Sequence, residues 1–169
     1  MIKSHTDLDP KPFFLYGTAW KEEHTARLTQ LALQAGFRGI DTANQRKHYY
    51  EEAVGKGLQA AYKDLDLTRN HIWIQTKFTH LAGQDHRLPY DAQAPIVKQV
   101  MSSFQSSLKH LQTDYIDAYV LHGPSLAHGL ADADWAAWEA MEELFNRGKV
   151  KALGVSNVSA TQLQLLLKG

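Results

Sequence analysis

The sequence contains no cysteine in 169 residues. This absence excludes a disulfide framework and any metal site built from thiolates. No stretch approaches the roughly 20 apolar residues that a transmembrane helix needs. The first residues also lack the apolar run of a signal peptide. We therefore expect a cytoplasmic protein without a membrane-spanning part.

An excess of either charge is also lacking, because 18 Lys and Arg residues balance 18 Asp and Glu residues. A balanced chain has no long-range field that attracts nucleic acid or an anionic membrane surface, so neither is expected as a partner. Hydrophobic residues make up 44% and charged residues 21% of the chain, which is ordinary for a globular protein. We expect a single domain over residues 1–169.

Short apolar runs alternate with amphipathic stretches along the chain. The apolar runs predict β-strands at 13–18, 37–41, 72–77, 115–121 and 150–155. Helical spacing of apolar residues predicts helices at 21–35, 51–62, 96–111, 134–147 and 159–167. Repeated strand–helix units indicate an α/β protein with parallel strands and right-handed crossovers. Either an open doubly wound sheet or an incomplete (β/α)8 TIM barrel fits this pattern.

Three features of the connections carry further predictions. The polar segment 79–94 is longer than usual, which indicates either function or mobility. Asp132 or Asp134 is expected to cap the fourth helix. Ser159 and Gln162 have the spacing of a capping box at the start of the fifth helix.

The first strand–helix turn lacks the GxGxxG pattern of a dinucleotide-binding Rossmann domain. It reads Gly17-Thr18-Ala19-Trp20, and the Trp20 side chain would block close approach of a pyrophosphate to the backbone. The turn also lacks the His-x-His that a metal-dependent barrel hydrolase would have there. His80 and His86 have no third ligand at a helical offset, so we expect no metal site.

Polar side chains gather where the predicted strands end. Asp41, Lys77 and His122 end the second, third and fourth strands, and Ser156 and Asn157 follow the fifth. Parallel strands bring all these ends to one rim, where barrel enzymes carry out their chemistry. An acid, an ammonium and an imidazole converging near apolar walls could form an acid–base site.

Four motifs resemble those of the aldo-keto reductase family. Residues 36–43, continued by 52–55, resemble the family's first signature, and 141–157 resemble its second. Residues 76–77 and 117–124 are similar to the motifs of its third and fourth strands. The resemblance implies a TIM barrel that reduces aldehydes or ketones with NADPH. NADH stays open, because the residues that discriminate between the two cofactors lie in later strands of the family.

The family mechanism assigns a role to each matching position. By this resemblance, Asp41 would hold Lys77 in an ion pair, and Lys77 would lower the pKa of a tyrosine that protonates the carbonyl oxygen. His122 would orient that oxygen. A phenol with a pKa near 10 needs such a neighbouring cation to work near neutral pH.

Cofactor and substrate contacts are implied in the same way. Ser156 and Asn157 would bind the nicotinamide carboxamide, and Gly17 and Thr18 would border the cofactor together with Asp41. Trp20 and His122 would line the pocket of a small carbonyl substrate.

The position of the tyrosine departs from the family pattern. The family places it in a Tyr-Gly-Asn-Glu context a few residues after the aspartate. Counting back from the second half of the first signature reaches His48, and counting forward from Asp41 reaches Arg46. A small insertion allows Tyr49 to fill the role, and Tyr50 is the second candidate.

Length is the second departure. Each strand–helix unit takes about 30 residues, so eight units need roughly 250. We expect a truncated barrel, inactive by itself, whose fifth strand leaves an edge open to self-association. A genuine short protein that dimerises stays open as the alternative. A non-catalytic regulatory or channel-associated subunit that binds NADPH is the alternative function.

Overall fold

A computed structural model describes residues 14–168. Within this range lie five β-strands, which we number β1 (Tyr16–Gly17), β2 (Gly39–Asp41), β3 (Trp73–Phe78), β4 (Ile116–Leu121) and β5 (Val150–Val155). The α-helices are α1 (Thr25–Gln34), α2 (Glu51–Leu65), α3 (Ile96–Leu111), α4 (Asp132–Asn146) and α5 (Ala160–Lys168). Each overlaps the range predicted for it, although residue 13 of the first predicted strand lies outside the described residues.

The order of the strands decides between the two architectures. All neighbouring strands are parallel, and the sheet runs β1-β2-β3-β4-β5 without a reversal of winding. A doubly wound sheet would change direction at a switch point. Successive helices also pack side by side, α1 on α2, α2 on α3 and α3 on α4. This is the winding of a TIM barrel, and the described strands form an incomplete one because β1 and β5 are not paired with each other.

Alternation along β3 separates a structural face from a functional one. Ile74, Thr76 and Phe78 are completely buried, and the Thr76 hydroxyl donates to the Glu51 carboxylate of α2. These residues therefore face the helices. Gln75 and Lys77 point to the opposite face, because successive side chains of a strand alternate.

The start of α5 has the capping box that the spacing of Ser159 and Gln162 predicts. In α4 the N-cap position is Ala131, and Asp134, at the third helical position, supplies the capping contact. Ser159 Oγ accepts a hydrogen bond from the Gln162 backbone N–H at 3.2 Å, and the Gln162 side chain accepts one from the Ser159 N–H at 2.9 Å. At the start of α4, the Asp134 carboxylate accepts the Ala131 N–H at 2.8 Å. Both arrangements satisfy amide groups that the first helical turn leaves without partners.

The close approach of α2 and α3 requires a glycine. An added Cβ on Gly55 would lie 1.9 Å from the backbone oxygen of His110, closer than any real contact. The two helix backbones thus meet directly at this point, just below the start of α2. The same approach brings His110 Nδ1 within 3.1 Å of the Glu51 carboxylate.

The amino-terminal end of the sheet is held by a buried carboxylate. Asp117 of β4 accepts hydrogen bonds from the Ile74 N–H at 2.9 Å, from Arg69 at 2.7 Å and from Lys151 at 3.0 Å. These contacts tie β3, β4 and β5 together at the end of the sheet away from His122. In barrels this end contributes stability rather than chemistry.

Among residues 14–168, no helix combines the length and the apolar character needed to cross a membrane.

Candidate active site

An ion pair between neighbouring strands forms the centre of the candidate site. Lys77 Nζ lies 2.6 Å from Asp41 Oδ1 and donates a second hydrogen bond, at 2.8 Å, to the backbone oxygen of Thr42. Asp41 Oδ1 also accepts a bond at 2.8 Å from Gln75, which shares the face of Lys77. The ammonium is therefore fixed at the carboxyl end of the sheet.

Burial controls the electrostatics of this lysine. Lys77 is only 6% exposed, and desolvation lowers its pKa, while the charge and the hydrogen bond of Asp41 oppose the shift. Removing an ammonium from water costs several kcal/mol. The attraction to a carboxylate partner is on the same order, so a buried ammonium needs such a partner. Asp41 thus keeps a positive charge on Lys77, next to the Tyr49 ring.

Tyr49 lies beside this charge, in the connection between β2 and α2. Its ring centroid is 5.0 Å from Lys77 Nζ and 5.9 Å from the centroid of the His122 ring. Lys77 thus approaches the face of the ring, while its hydrogen bonds go to Asp41 and Thr42. Burial and the negative charge of Asp41 raise the pKa of Tyr49.

This raised pKa differs from the lowering that the resemblance implies. Burial disfavours the phenolate and Asp41 adds an unfavourable negative charge. Lys77 does not offset them, because it donates its hydrogen bonds to Asp41 and Thr42. The consequence is a tyrosine that keeps its proton at neutral pH. A protonated phenol can donate its proton to an oxygen that gains negative charge.

The neighbours of Tyr49 point elsewhere. The guanidinium of Arg46 stacks 4.0 Å from the centroid of the Tyr50 ring and forms an ion pair with Glu22 at 3.3 Å. The His48 ring packs on Trp20, with centroids 4.1 Å apart. Tyr50 is therefore engaged with the outer surface, and Tyr49 is the tyrosine placed at the ion pair.

His122 completes the cluster on the side of β4. Its Nδ1 lies 2.7 Å from the Thr79 hydroxyl, and its backbone N–H donates to Phe78 at 2.8 Å. Burial, assisted by the nearby charge of Lys77, lowers the pKa of His122 to about 4. The imidazole is therefore neutral at physiological pH.

The residues expected to border the cofactor lie along the same rim. Thr18 is completely buried and donates its hydroxyl hydrogen to the Asp41 backbone oxygen at 2.9 Å. Ser156 and Asn157 both donate to the backbone oxygen of His122, at 2.7 and 2.6 Å. An added Cβ on Gly17 would meet no atom of residues 14–168 within 4 Å.

A cleft of about 390 Å³ opens beside His122. Its walls include three imidazoles and small or hydroxyl-bearing residues: His48, Thr79, His80, His122, Gly123 and Ser125. The indole of Trp20 lies at its margin, against His48, and is 68% exposed. The cleft thus combines polar side chains with apolar walls and has a size suited to a small molecule.

The long connection 79–94 folds over the rim. It contains a 3₁₀ turn, Leu81–Gly83. Gly83 O accepts a hydrogen bond from Gln45 at 2.6 Å, and the Tyr90 hydroxyl donates to Thr79 O at 2.7 Å. The segment therefore helps to build the site.

Sequence reasoning did not identify Gln75 or Thr79 as parts of the site. Gln75 could have been found, because it lies two positions before Lys77 on a strand and must share its face. Thr79 carries no such signal. Its contact with His122 depends on the path of the chain beyond β3.

No cluster of metal-ligating side chains is found among the described residues. His80 lies 3.0 Å from the buried carboxylate of Asp134, which links the long connection to α4.

A wall of parallel strands with Asp41, Lys77, Tyr49 and His122 gathered at its carboxyl rim defines one segment of a TIM barrel. The chain belongs to the aldo/keto reductase family, whose model matches residues 13–169. Methylglyoxal reductase DkgA of Escherichia coli (strain K12) is 37% identical over 150 residues, which cover 88% of this chain and 46% of that protein. Glyoxal reductase of Bacillus subtilis is 31% identical over 170 residues, covering 99% and 52%.

Solved structures of the family show the same fold. An aldo-keto reductase of Bombyx mori in complex with NADP superimposes with a TM-score of 0.75 at 26% identity, covering 100% of this chain and 54% of that one. An aldo/keto reductase of Brucella melitensis gives 0.70 at 31% identity, covering 91% and 52%. The chain spans about half the length of the curated relatives it matches.

Proposed function

We propose that the whole protein reduces aldehydes or ketones to alcohols with NADPH, using Tyr49 as the general acid. The placement of the Tyr49 ring between Lys77 and His122 is the observation that carries this proposal. Membership of the aldo/keto reductase family supports carbonyl reduction in general terms. The names of the two bacterial relatives favour small aldehydes as substrates.

Residues of the rim fit a nicotinamide. Asn157 turns its amide nitrogen to the His122 backbone oxygen at 2.6 Å, and its own side-chain oxygen has no partner among residues 14–168. That oxygen could accept from a carboxamide N–H. Gly17, whose added Cβ would meet no atom of residues 14–168 within 4 Å, could border the cofactor. When bound, the reduced nicotinamide supplies the hydride.

The side chains of the chain would then divide the remaining work. His122, neutral and half-buried, would donate a hydrogen bond to the carbonyl oxygen and fix its direction. Tyr49 would transfer its phenolic proton to that oxygen as negative charge develops. Lys77, held by Asp41, would stabilise the negative charge that remains on the tyrosine. A positioned general acid of this kind contributes on the order of 100- to 10,000-fold to a rate.

Paired substitutions in the whole protein test the assignment. Loss of NADPH absorbance is followed with a panel of small aldehydes. Tyr49→Phe removes only the hydroxyl and is expected to lower kcat by at least about 100-fold while leaving NADPH binding intact. Tyr50→Phe is the matched control and is expected to retain activity, because the Tyr50 ring lies against Arg46. Retained activity in Tyr49→Phe would overturn the assignment.

A further inference from the structure

Thr79 and His122 contact each other at the rim, although they are distant in the sequence. Thr79 follows β3 and is buried, and its Oγ1 lies 2.7 Å from His122 Nδ1. A neutral imidazole has one nitrogen that donates and one that accepts. The partner of one nitrogen therefore determines which hydrogen the other nitrogen can offer.

The hydrogen-bonding capacity of the threonine decides the direction of this bond. A hydroxyl carries a single hydrogen. No acceptor for the Thr79 hydroxyl other than His122 Nδ1 is found among residues 14–168. If Nδ1 carried the hydrogen, the buried hydroxyl hydrogen would have no partner, at a cost of about 1–3 kcal/mol. This cost favours a bond in which the Thr79 hydroxyl donates to Nδ1.

We propose that Thr79 is a positioning residue, whose hydroxyl holds the imidazole of His122 in the tautomer that carries its hydrogen on Nε2. Nδ1 is then occupied as an acceptor, and Nε2–H is the group left to donate to a carbonyl oxygen in the cleft. The consequence for catalysis rests on the proposed function, whereas the tautomer itself does not.

Both ends of the contact are held in place. The backbone oxygen of Thr79 accepts the Tyr90 hydroxyl at 2.7 Å, and the backbone N–H of His122 donates to Phe78 at 2.8 Å. An added Cβ on Gly83 would lie 2.7 Å from the methyl carbon of Thr79. Because Gly83 has no side chain, Thr79 can adopt the rotamer that directs its hydroxyl toward the imidazole of His122. The low pKa of His122 keeps the ring neutral, so that a tautomer is defined at pH 7.

The tautomer can be measured without turnover. In the chain labelled with ¹⁵N, long-range ¹H–¹⁵N correlation spectra at pH 7 distinguish a protonated ring nitrogen from a bare one, and His122→Gln identifies the signals of His122. The unsubstituted chain is expected to show a bare Nδ1 and a protonated Nε2. Thr79→Val keeps the shape of the side chain and is expected to shift His122 toward the Nδ1–H tautomer, while Thr79→Ser preserves the original pattern.

A matched control is available in α1. Thr29 is completely buried, and its hydroxyl has no partner among the described residues, so Thr29→Val should leave the His122 signals unchanged. A protonated Nδ1 in the unsubstituted chain would overturn the proposal. An unchanged tautomer in a folded Thr79→Val chain would also overturn it.

Turnover tests the catalytic consequence separately. In the whole protein, Thr79→Val is expected to lower kcat by roughly 10- to 100-fold, by analogy with the loss of the hydrogen bond that orients a metal-bound histidine. Thr79→Ser should restore most of the rate. If Thr79→Val retains the full rate, the catalytic role is refuted. If no variant and no unsubstituted protein reduces a carbonyl, the proposed function fails, and the spectra alone decide the tautomer.

Discussion

Replacing Asp117 by alanine is expected to destabilise the sheet at the end remote from the candidate site. The carboxylate is 3% exposed and receives hydrogen bonds from Ile74, Arg69 and Lys151. Alanine leaves the buried Ile74 N–H without a partner, which costs about 1–3 kcal/mol. Loss of the charge-assisted bond from Arg69 adds about 1.5–3 kcal/mol.

The total loss in the free energy of unfolding is limited by the contacts that Arg69 retains. Its guanidinium keeps hydrogen bonds to the backbone oxygens of Ile72 and Tyr115 and stacks on the Tyr115 ring at 4.0 Å. The arginine is therefore not left without partners, and we expect a loss near 3 kcal/mol in the free energy of unfolding. For a chain of this size, that loss lowers Tm by about 6–12 °C.

Urea unfolding of Asp117→Ala, Asp117→Asn and a surface control measures this loss. Asparagine keeps an acceptor for the Ile74 N–H and should lose about half as much as alanine. Glu143→Ala breaks an exposed pair with Arg147 on α4 and should change the unfolding midpoint little, because exposed pairs contribute about 0–1 kcal/mol. A loss in Asp117→Ala no larger than that of the control would refute the reasoning.

Two further predictions concern α2 and the pH response. Gly55→Ala should destabilise the chain by about 2 kcal/mol, because overpacking against the His110 backbone oxygen outweighs the roughly 1 kcal/mol gain in helix propensity. Thermal unfolding measures this loss. A Tm equal to or higher than that of the unsubstituted chain would contradict the close approach of the two helices. The pKa of His122 is lowered to about 4 from the ordinary 6.5, so the unfolded chain binds a proton first and stability falls as the pH drops from 6.5 toward 4. Unfolding experiments across that range should give a smaller slope for His122→Gln, and an unchanged slope would show that another group titrates.

The strand–helix alternation and the position of the rim could be predicted because both are local. Apolar spacing predicts each helix and strand, and a parallel arrangement sends every strand end to the same rim. Asp41, Lys77 and His122 were recognised for this reason. The Asp41–Lys77 contact follows from two strands that are neighbours both in sequence and in the sheet.

The electrostatic state of the site could not be predicted in the same way. The resemblance implies a lowered pKa for the tyrosine, but burial and Asp41 raise the pKa of Tyr49. The balance between desolvation and neighbouring charges depends on how deeply each group is buried and on which groups accept the hydrogen bonds of Lys77. Neither property can be inferred from local patterns in the sequence.

Local sequence patterns were enough to predict the α/β class, the five strand–helix units and the residue types that meet at the rim, because periodicity and strand polarity act over a few residues. The strand order confirmed the barrel that the resemblance implies. Only the folded chain shows that Tyr49 rather than Tyr50 lies at Lys77, and that the Thr79 hydroxyl contacts His122. These outcomes depend on contacts between segments separated by tens of residues. Such contacts are fixed by packing and hydrogen-bond satisfaction in three dimensions.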